Sequence, residues 1–207
     1  MPSLLRRSLL PALAGLATAT TLPAHAGSVT VAVADAAGRP LADAVVLLEP
    51  TAGKVAVKPL TGVEIAQARR QFQPRVTLVT VGSRVSFPNF DTVRHHVYSF
   101  SKAKTFEIKL YAGVPSEPVL FDKPGIAVLG CNIHDRMAAW VVVADTPWNA
   151  LAGADGIARI ADAPAGGYTL SVWHPALAAG SAPVTRAVQV SGAELRETFQ
   201  LDVAAQP

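Results

Sequence analysis

Apolar residues along this chain alternate with small or polar ones at a period of two, the spacing of strands that bury one face. Val29, Val31 and Val33 open the pattern. Further apolar runs fall at 44–48, 75–81, 84–87, 96–100, 105–111, 125–129 and 138–144, then at 157–160, 168–173, 186–190 and 197–203. Turn residues separate them: Gly38 can take positive φ within 35–40, and Gly82-Ser83 reverses the chain between two runs. Punctuation at such short, regular intervals predicts an all-β chain of sandwich type. One stretch, 62–70, reads as a short helical turn.

Two composition styles divide the runs. Residues 28–50 and 150–203 are rich in Ala and Gly, whereas 70–145 hold six of the seven Phe. The middle, residues 53–146, is expected to form one sandwich. The flanks, 27–52 and 147–207, are expected to be consecutive parts of a second small sandwich. Val33-x-Asp35-x-x-Gly38-x-Pro40-Leu41 with Ala44-Val45 forms one hairpin of it, and Ala154-Asp155-Gly156 through Gly167-Tyr168-Thr169-Leu170 continues it. This pattern resembles a carboxypeptidase-regulatory-like (transthyretin-like) module.

Residues 1–26 read as a secretory signal peptide rather than as fold. Arg6-Arg7 precede an apolar stretch at 9–22, and Ala24-His25-Ala26 is a small-x-small cleavage site. Pro11 and Pro23 interrupt the apolar stretch, and a membrane span needs about 20 apolar residues. The expectation is export to the periplasm, with no membrane span after cleavage. Arg6-Arg7-Ser8 also loosely fits a twin-arginine leader, so the export route stays open. Loss of Arg6 and Arg7 lowers the formal charge from +3 to +1.

Composition then narrows the function. At 50% hydrophobic and 16% charged, the chain can bury a core and is not of the disordered class. The small net charge argues against nucleic-acid binding. A single cysteine excludes a disulfide framework. The glycines at 153–156 and 166–167 lack the strand–loop–helix context of a phosphate site. No Ser lies in a recognisable nucleophile–base setting.

The chemistry concentrates in Cys131-Asn-Ile-His134-Asp-Arg-Met137. A thiolate, an imidazole and a thioether at C-x2-H-x2-M spacing can converge on one soft metal ion. Two imidazoles and a thiolate with a weak axial Met form the blue-copper arrangement. The second imidazole must come from elsewhere. His95, 36 residues upstream after Val85-Ser-Phe-Pro-Asn-Phe-Asp91, is the natural donor. His96 is its rival, and alternation along a strand allows only one of the two to face the metal. His174, in Trp173-His174-Pro175, reads as a loop histidine of the flanking module. A free thiol in an oxidising compartment must be buried or metal-bound.

Residues 70–145 resemble a cupredoxin of the plastocyanin and amicyanin type. The upstream half is Phe72-x-Pro74 through Val81-Gly82-x-x-Val85-x-Phe87-x-Asn89-x-Asp91-x-x-x-His95-x-Val97, and Cys131-x-x-His134-x-x-Met137 resembles the ligand loop. The stretches His95–Phe100 and Gly130–His134 are most similar to periplasmic methylamine utilisation protein-like cupredoxins. The resemblance implies a Greek-key β-sandwich holding one type 1 copper ion on His95, Cys131, His134 and Met137. It implies single-electron transfer with a transient periplasmic redox partner and no enzymatic activity. His96 stands where the family usually has Asn, which leaves the choice of first ligand between His95 and His96. Asp135 and Arg136, where relatives often carry Pro or apolar residues, predict a more polar docking face. Backbone N–H groups near Asn89 and Asn132 are expected to approach the sulfur.

Two other functions fit the composition less well. A copper chaperone or store usually presents clustered Met or His, and the chain after residue 26 has one Met and four His. A non-redox binding module would leave the Cys-His-Met motif without a role.

Overall fold

A computed structural model describes residues 26–115 and 117–203. The expected signal peptide lies, up to its last residue, outside the described residues. The described chain is all-β, with no helix and seventeen strands. They are β1 (Gly27–Asp35), β2 (Val45–Pro50), β3 (Val63–Glu64), β4 (Ala66–Ala68), β5 (Gln71–Gln73), β6 (Val76–Thr80), β7 (Ser83–Ser86), β8 (His95–Ser101) and β9 (Lys104–Tyr111). Then follow β10 (Val119–Phe121), β11 (Gly125–Gly130), β12 (Ala138–Ala144), β13 (Asn149–Leu151), β14 (Ile157–Ala163), β15 (Gly166–Trp173), β16 (Val184–Val190) and β17 (Leu195–Leu201).

The middle strands make a five-stranded sheet in the order β6-β12-β11-β8-β9, a three-stranded sheet β10-β7-β3 and the hairpin β4-β5. Phe72, Val85, Phe87, Val97, Phe121, Leu129 and Val141 are buried in one apolar cluster, which also takes in Cys131 and Met137. The alternation seen in the sequence therefore sends these residues to a common interior, where burying each large side chain stabilises by about 1.5–3 kcal/mol.

Strands from the two ends of the chain meet each other. β1 lies between β14 and β17, and β2 between β13 and β15, with β16 beyond. Val29, Val31 and Val33 of β1 share a cluster with Val46, Leu48, Leu170, Val172 and Phe199. A third, smaller cluster joins the end segments to the middle: Val45 and Trp173 pack with Val76 and Val142, and the Trp140 and Trp173 rings lie 6.4 Å apart.

The expected helical turn at 62–70 does not form. Ile65 and Gln67 are fully buried while Glu64 is exposed, so this stretch also follows a period of two. β3 pairs in parallel with β7, and β4 pairs with β5 through the register Ala68↔Gln71. Pairing with preformed strands supplies the backbone bonds that a one-turn helix would have left at its ends.

His174 follows Trp173 at this junction and is buried. Its Nε2 donates to the Ala42 carbonyl at 3.0 Å, and its Nδ1 accepts from the Ala176 N–H at 3.1 Å. A neutral ring satisfies both contacts. Burial pushes its pKa below the ordinary histidine value, against the opposing hydrogen bond to Ala42 and the nearby Asp43. A lowered folded-state pKa means that protonation favours the unfolded chain. The stabilisation is complete above the ordinary histidine pKa of about 6.5. It is lost as pH falls from there through the folded value. Urea unfolding between pH 8 and pH 5 is expected to show this acid loss in the wild type, and a weaker one in His174→Gln.

Candidate metal centre

β11 and β12 pair in register up to Gly130↔Ala138, so residues 131–137 form the complete connection between them. The C-x2-H-x2-M motif is thus one hairpin loop, pinned at both ends. The Met137 N–H donates to the His134 carbonyl at 2.9 Å, closing its second turn. Cys131 and Met137, at the two ends, are buried in the middle core, and His134 between them is half-buried.

β8 brings in the distant partner. It meets β11 at Gly130↔Tyr98, which places the start of β8 beside the loop. The glycine is needed there, because a Cβ at residue 130 would stand 2.7 Å from the Tyr98 ring. His95 and Val97 point inward and are fully buried. His96 sits at the register shift between them and packs on the other side against Tyr98, with ring centroids 5.5 Å apart. Its Nε2 contacts Glu107 at 3.0 Å, and its Nδ1 is buried without a partner among the described residues. Strand alternation therefore brings His95, and not His96, to the cluster.

His95 Nδ1 lies 3.9 Å from Cys131 Sγ, and His134 Nδ1 lies 4.0 Å from the same sulfur. The two imidazole rings are 5.1 Å apart. The three donor atoms all fall within 4.8 Å of one another. Metal–sulfur and metal–nitrogen bonds of about 2.3 and 2.0 Å, meeting at ~120–130°, span ~3.7–3.9 Å. The two sulfur–nitrogen separations lie close to that span, and sulfur with two imidazoles suits zinc or copper.

The remaining nitrogen of His95 is committed. Nε2 donates to Asp91 Oδ2 at 2.8 Å, which leaves Nδ1 as the free acceptor facing the sulfur. Asp91 also accepts from two backbone amides, Arg69 N–H at 2.7 Å and Arg70 N–H at 2.9 Å. Burial works to raise the Asp91 pKa, but the bonds from Arg70, His95 and Arg69 outweigh it and hold the carboxyl below its ordinary value. Asn89 fixes the loop before His95: its side-chain amide donates to the Val93 and Tyr111 carbonyls at 2.9 and 3.0 Å. Its own N–H goes to the Gly113 carbonyl at 2.8 Å and not to the sulfur. Under this loop, Tyr111 donates its hydroxyl to the Phe87 carbonyl at 2.6 Å and accepts from Gln67. Burial pushes the Tyr111 pKa up to about 12, against the Gln67 hydrogen bond.

The surface around the loops is mixed rather than polar. Asp135 and Arg136 are exposed as expected, but so are Phe90 (67%) and Ile133 (46%) on the segments that carry His95 and His134. His174 lies apart from the cluster, in its own hydrogen-bonded setting. The sequence motif did not assign Asp91, Gln67 or Tyr111. An acidic residue four positions before the histidine was the one legible sign of the first.

No protein-family model matches the chain, and no curated protein matches it. Solved structures do. A Cu-containing nitrite reductase from Thermus scotoductus SA-01 is 27% identical over 46% of this chain, with a TM-score of 0.38, and the match spans only 25% of the reductase chain. A purple cupredoxin from Nitrosopumilus maritimus is 19% identical over 40% of this chain and 99% of its own, with a TM-score of 0.35. A reduced Cu(I) form of an amicyanin variant is 18% identical over 48% of this chain and 98% of its own, with a TM-score of 0.37. This all-β chain is thus similar, over somewhat less than half its length, to a purple cupredoxin, an amicyanin and part of a copper-containing nitrite reductase.

Proposed function

We propose that residues 53–146 form a cupredoxin domain that binds one type 1 copper ion through His95, Cys131 and His134, with Met137 as a weak fourth ligand. In this reading the protein is a periplasmic carrier of single electrons between redox partners, and not an enzyme. Residues 27–52 and 147–207 form its second domain, and residues 1–26 are the export leader. The observation that carries the reading is the convergence of one sulfur and two imidazole nitrogens, drawn from positions 36 residues apart, on a common centre. Copper held there would supply a one-electron couple.

The protein's part is to hold the donors still. Cys131 would hold a soft ion as the thiolate. His95 offers Nδ1 in one tautomer because Nε2–H is bonded to Asp91. The 131–137 loop is fixed by paired strands at both ends, so its donors change little when the site changes charge. The core around Cys131 and Met137 keeps water from the sulfur side. Half-buried His134 is the ligand nearest the surface and the natural contact for a partner.

Titrating the purified metal-free protein with Cu(II) tests this. One equivalent is expected to bind with an intense visible thiolate-to-copper band and a paramagnetic-resonance spectrum of narrow copper hyperfine splitting. A colourless complex would reject it.

A further inference from the structure

We propose that Asp91, clamped by the Arg69–Arg70 turn, is a positioning residue that sets the rotation and tautomer of His95 before any metal arrives. The proposal rests on the copper reading for its redox consequence, but its structural core concerns this chain alone.

β4 and β5 are joined by two residues, Arg69 and Arg70, with φ of 56° and 58°. A two-residue connection with both residues left-handed is usually built from Asn and Gly. Side chains other than glycine are strained in this region. What the turn gains is two successive N–H groups aimed at one anion, a backbone nest. The anion is Asp91. Oδ1 accepts from Arg69 N–H, while Oδ2 accepts from both Arg70 N–H and His95 Nε2. The Asp91 N–H is held in turn by Asn89 Oδ1 at 2.9 Å.

The carboxylate is therefore fixed from three directions and has one oxygen directed at the ring. His95 is fully buried, and Asp91 is the one acceptor its Nε2 has among the described residues. A residue serving only to cap the turn would need the two amide contacts and no more. The third bond turns a hairpin cap into a link between the β4–β5 tip and the His95 ring. An anionic partner behind an imidazole makes the ring a stronger donor, and losing such a partner typically weakens metal binding about 10–100-fold. It also favours the more highly charged, oxidised state of a bound ion.

The experiment compares the full chain with Asp91→Ala, Asp91→Asn and the double variant Arg69→Gly/Arg70→Gly. In the metal-free protein, histidine-ring nitrogen NMR is expected to show His95 protonated at Nε2, with slow exchange of that proton. Both Asp91 variants should lose the slow exchange, and Asp91→Asn should shift the tautomer, because its amide N–H₂ can replace the acceptor. With copper, both should bind about 10–100-fold more weakly and show a higher reduction potential. The double glycine variant keeps both amides, so it should retain the tautomer and the potential while melting at a higher temperature. Asp91 variants that melt lower but keep the wild-type ring exchange, tautomer and potential would reduce Asp91 to a turn cap and overturn the proposal. A potential shift in the glycine variant as large as that of Asp91→Ala would overturn it too, by assigning the effect to the arginine charges. Wild-type protein that takes up no copper would reject the copper reading, and the ring NMR would still decide the clamp.

Discussion

Cys131→Ala is expected to abolish the visible band of the copper-treated protein completely, and with it the copper-dependent rise in melting temperature. The sulfur is the donor shared by both imidazole contacts, at 3.9 and 4.0 Å, so removing it leaves two imidazoles without the thiolate that joins them. Ligand present at 100 times its dissociation constant stabilises a native state by about 2.7 kcal/mol. That increment should vanish in the variant. The metal-free protein should change far less, since only one sulfur atom leaves the core. Visible absorption and paired thermal melts with and without Cu(II) separate the two effects. A variant that kept the band would mean that the colour arises elsewhere.

Phe87→Ala is expected to cause the largest loss of stability, about 3–5 kcal/mol. Phe87 is fully buried between the sheets of the middle region. Its ring stacks on Phe106 at 5.6 Å, and Phe106 meets Phe121 edge-on at 6.2 Å. Deleting the ring leaves a cavity beside Phe106 of β9, which is itself held by Phe121 of β10 and cannot move freely into it. Domains of this size are stable by only about 5–15 kcal/mol. Urea unfolding should therefore show a midpoint far below that of the wild type. Phe87 also begins the segment leading to His95, and its carbonyl accepts from Tyr111 and Gln67. Copper affinity should fall with stability, whereas Cys131→Ala should separate the two.

The strands with the plainest alternation were legible because their inward residues are aliphatic and their outward ones are not. Val29, Val31 and Val33 could be assigned to one face without knowing what covered it. The weak strands were not legible. β3, β4 and β5 hold two or three residues each, too few to show a period, and buried Gln67 breaks the apolar rule. Gln67 is inside because the Phe87 carbonyl and the Tyr111 hydroxyl meet its amide there, and both partners are remote in sequence. The polar surface expected from Asp135 and Arg136 was incomplete for a related reason. Phe90 lies 43 residues before Ile133, and only folding brings their two segments to one site.

Strand class, the soft donor set of the 131–137 loop and the need for a second imidazole are legible in the residues, since side-chain chemistry and a period of two are local properties. Tertiary structure alone decided that His95 meets Cys131 while His96 turns to Glu107, and that Asp91 stands between the Arg69–Arg70 amides and the His95 ring. Those outcomes depend on strand pairing and register between distant segments. A shift of one residue in β8 would exchange the two histidines, and nothing in either residue's own chemistry distinguishes them.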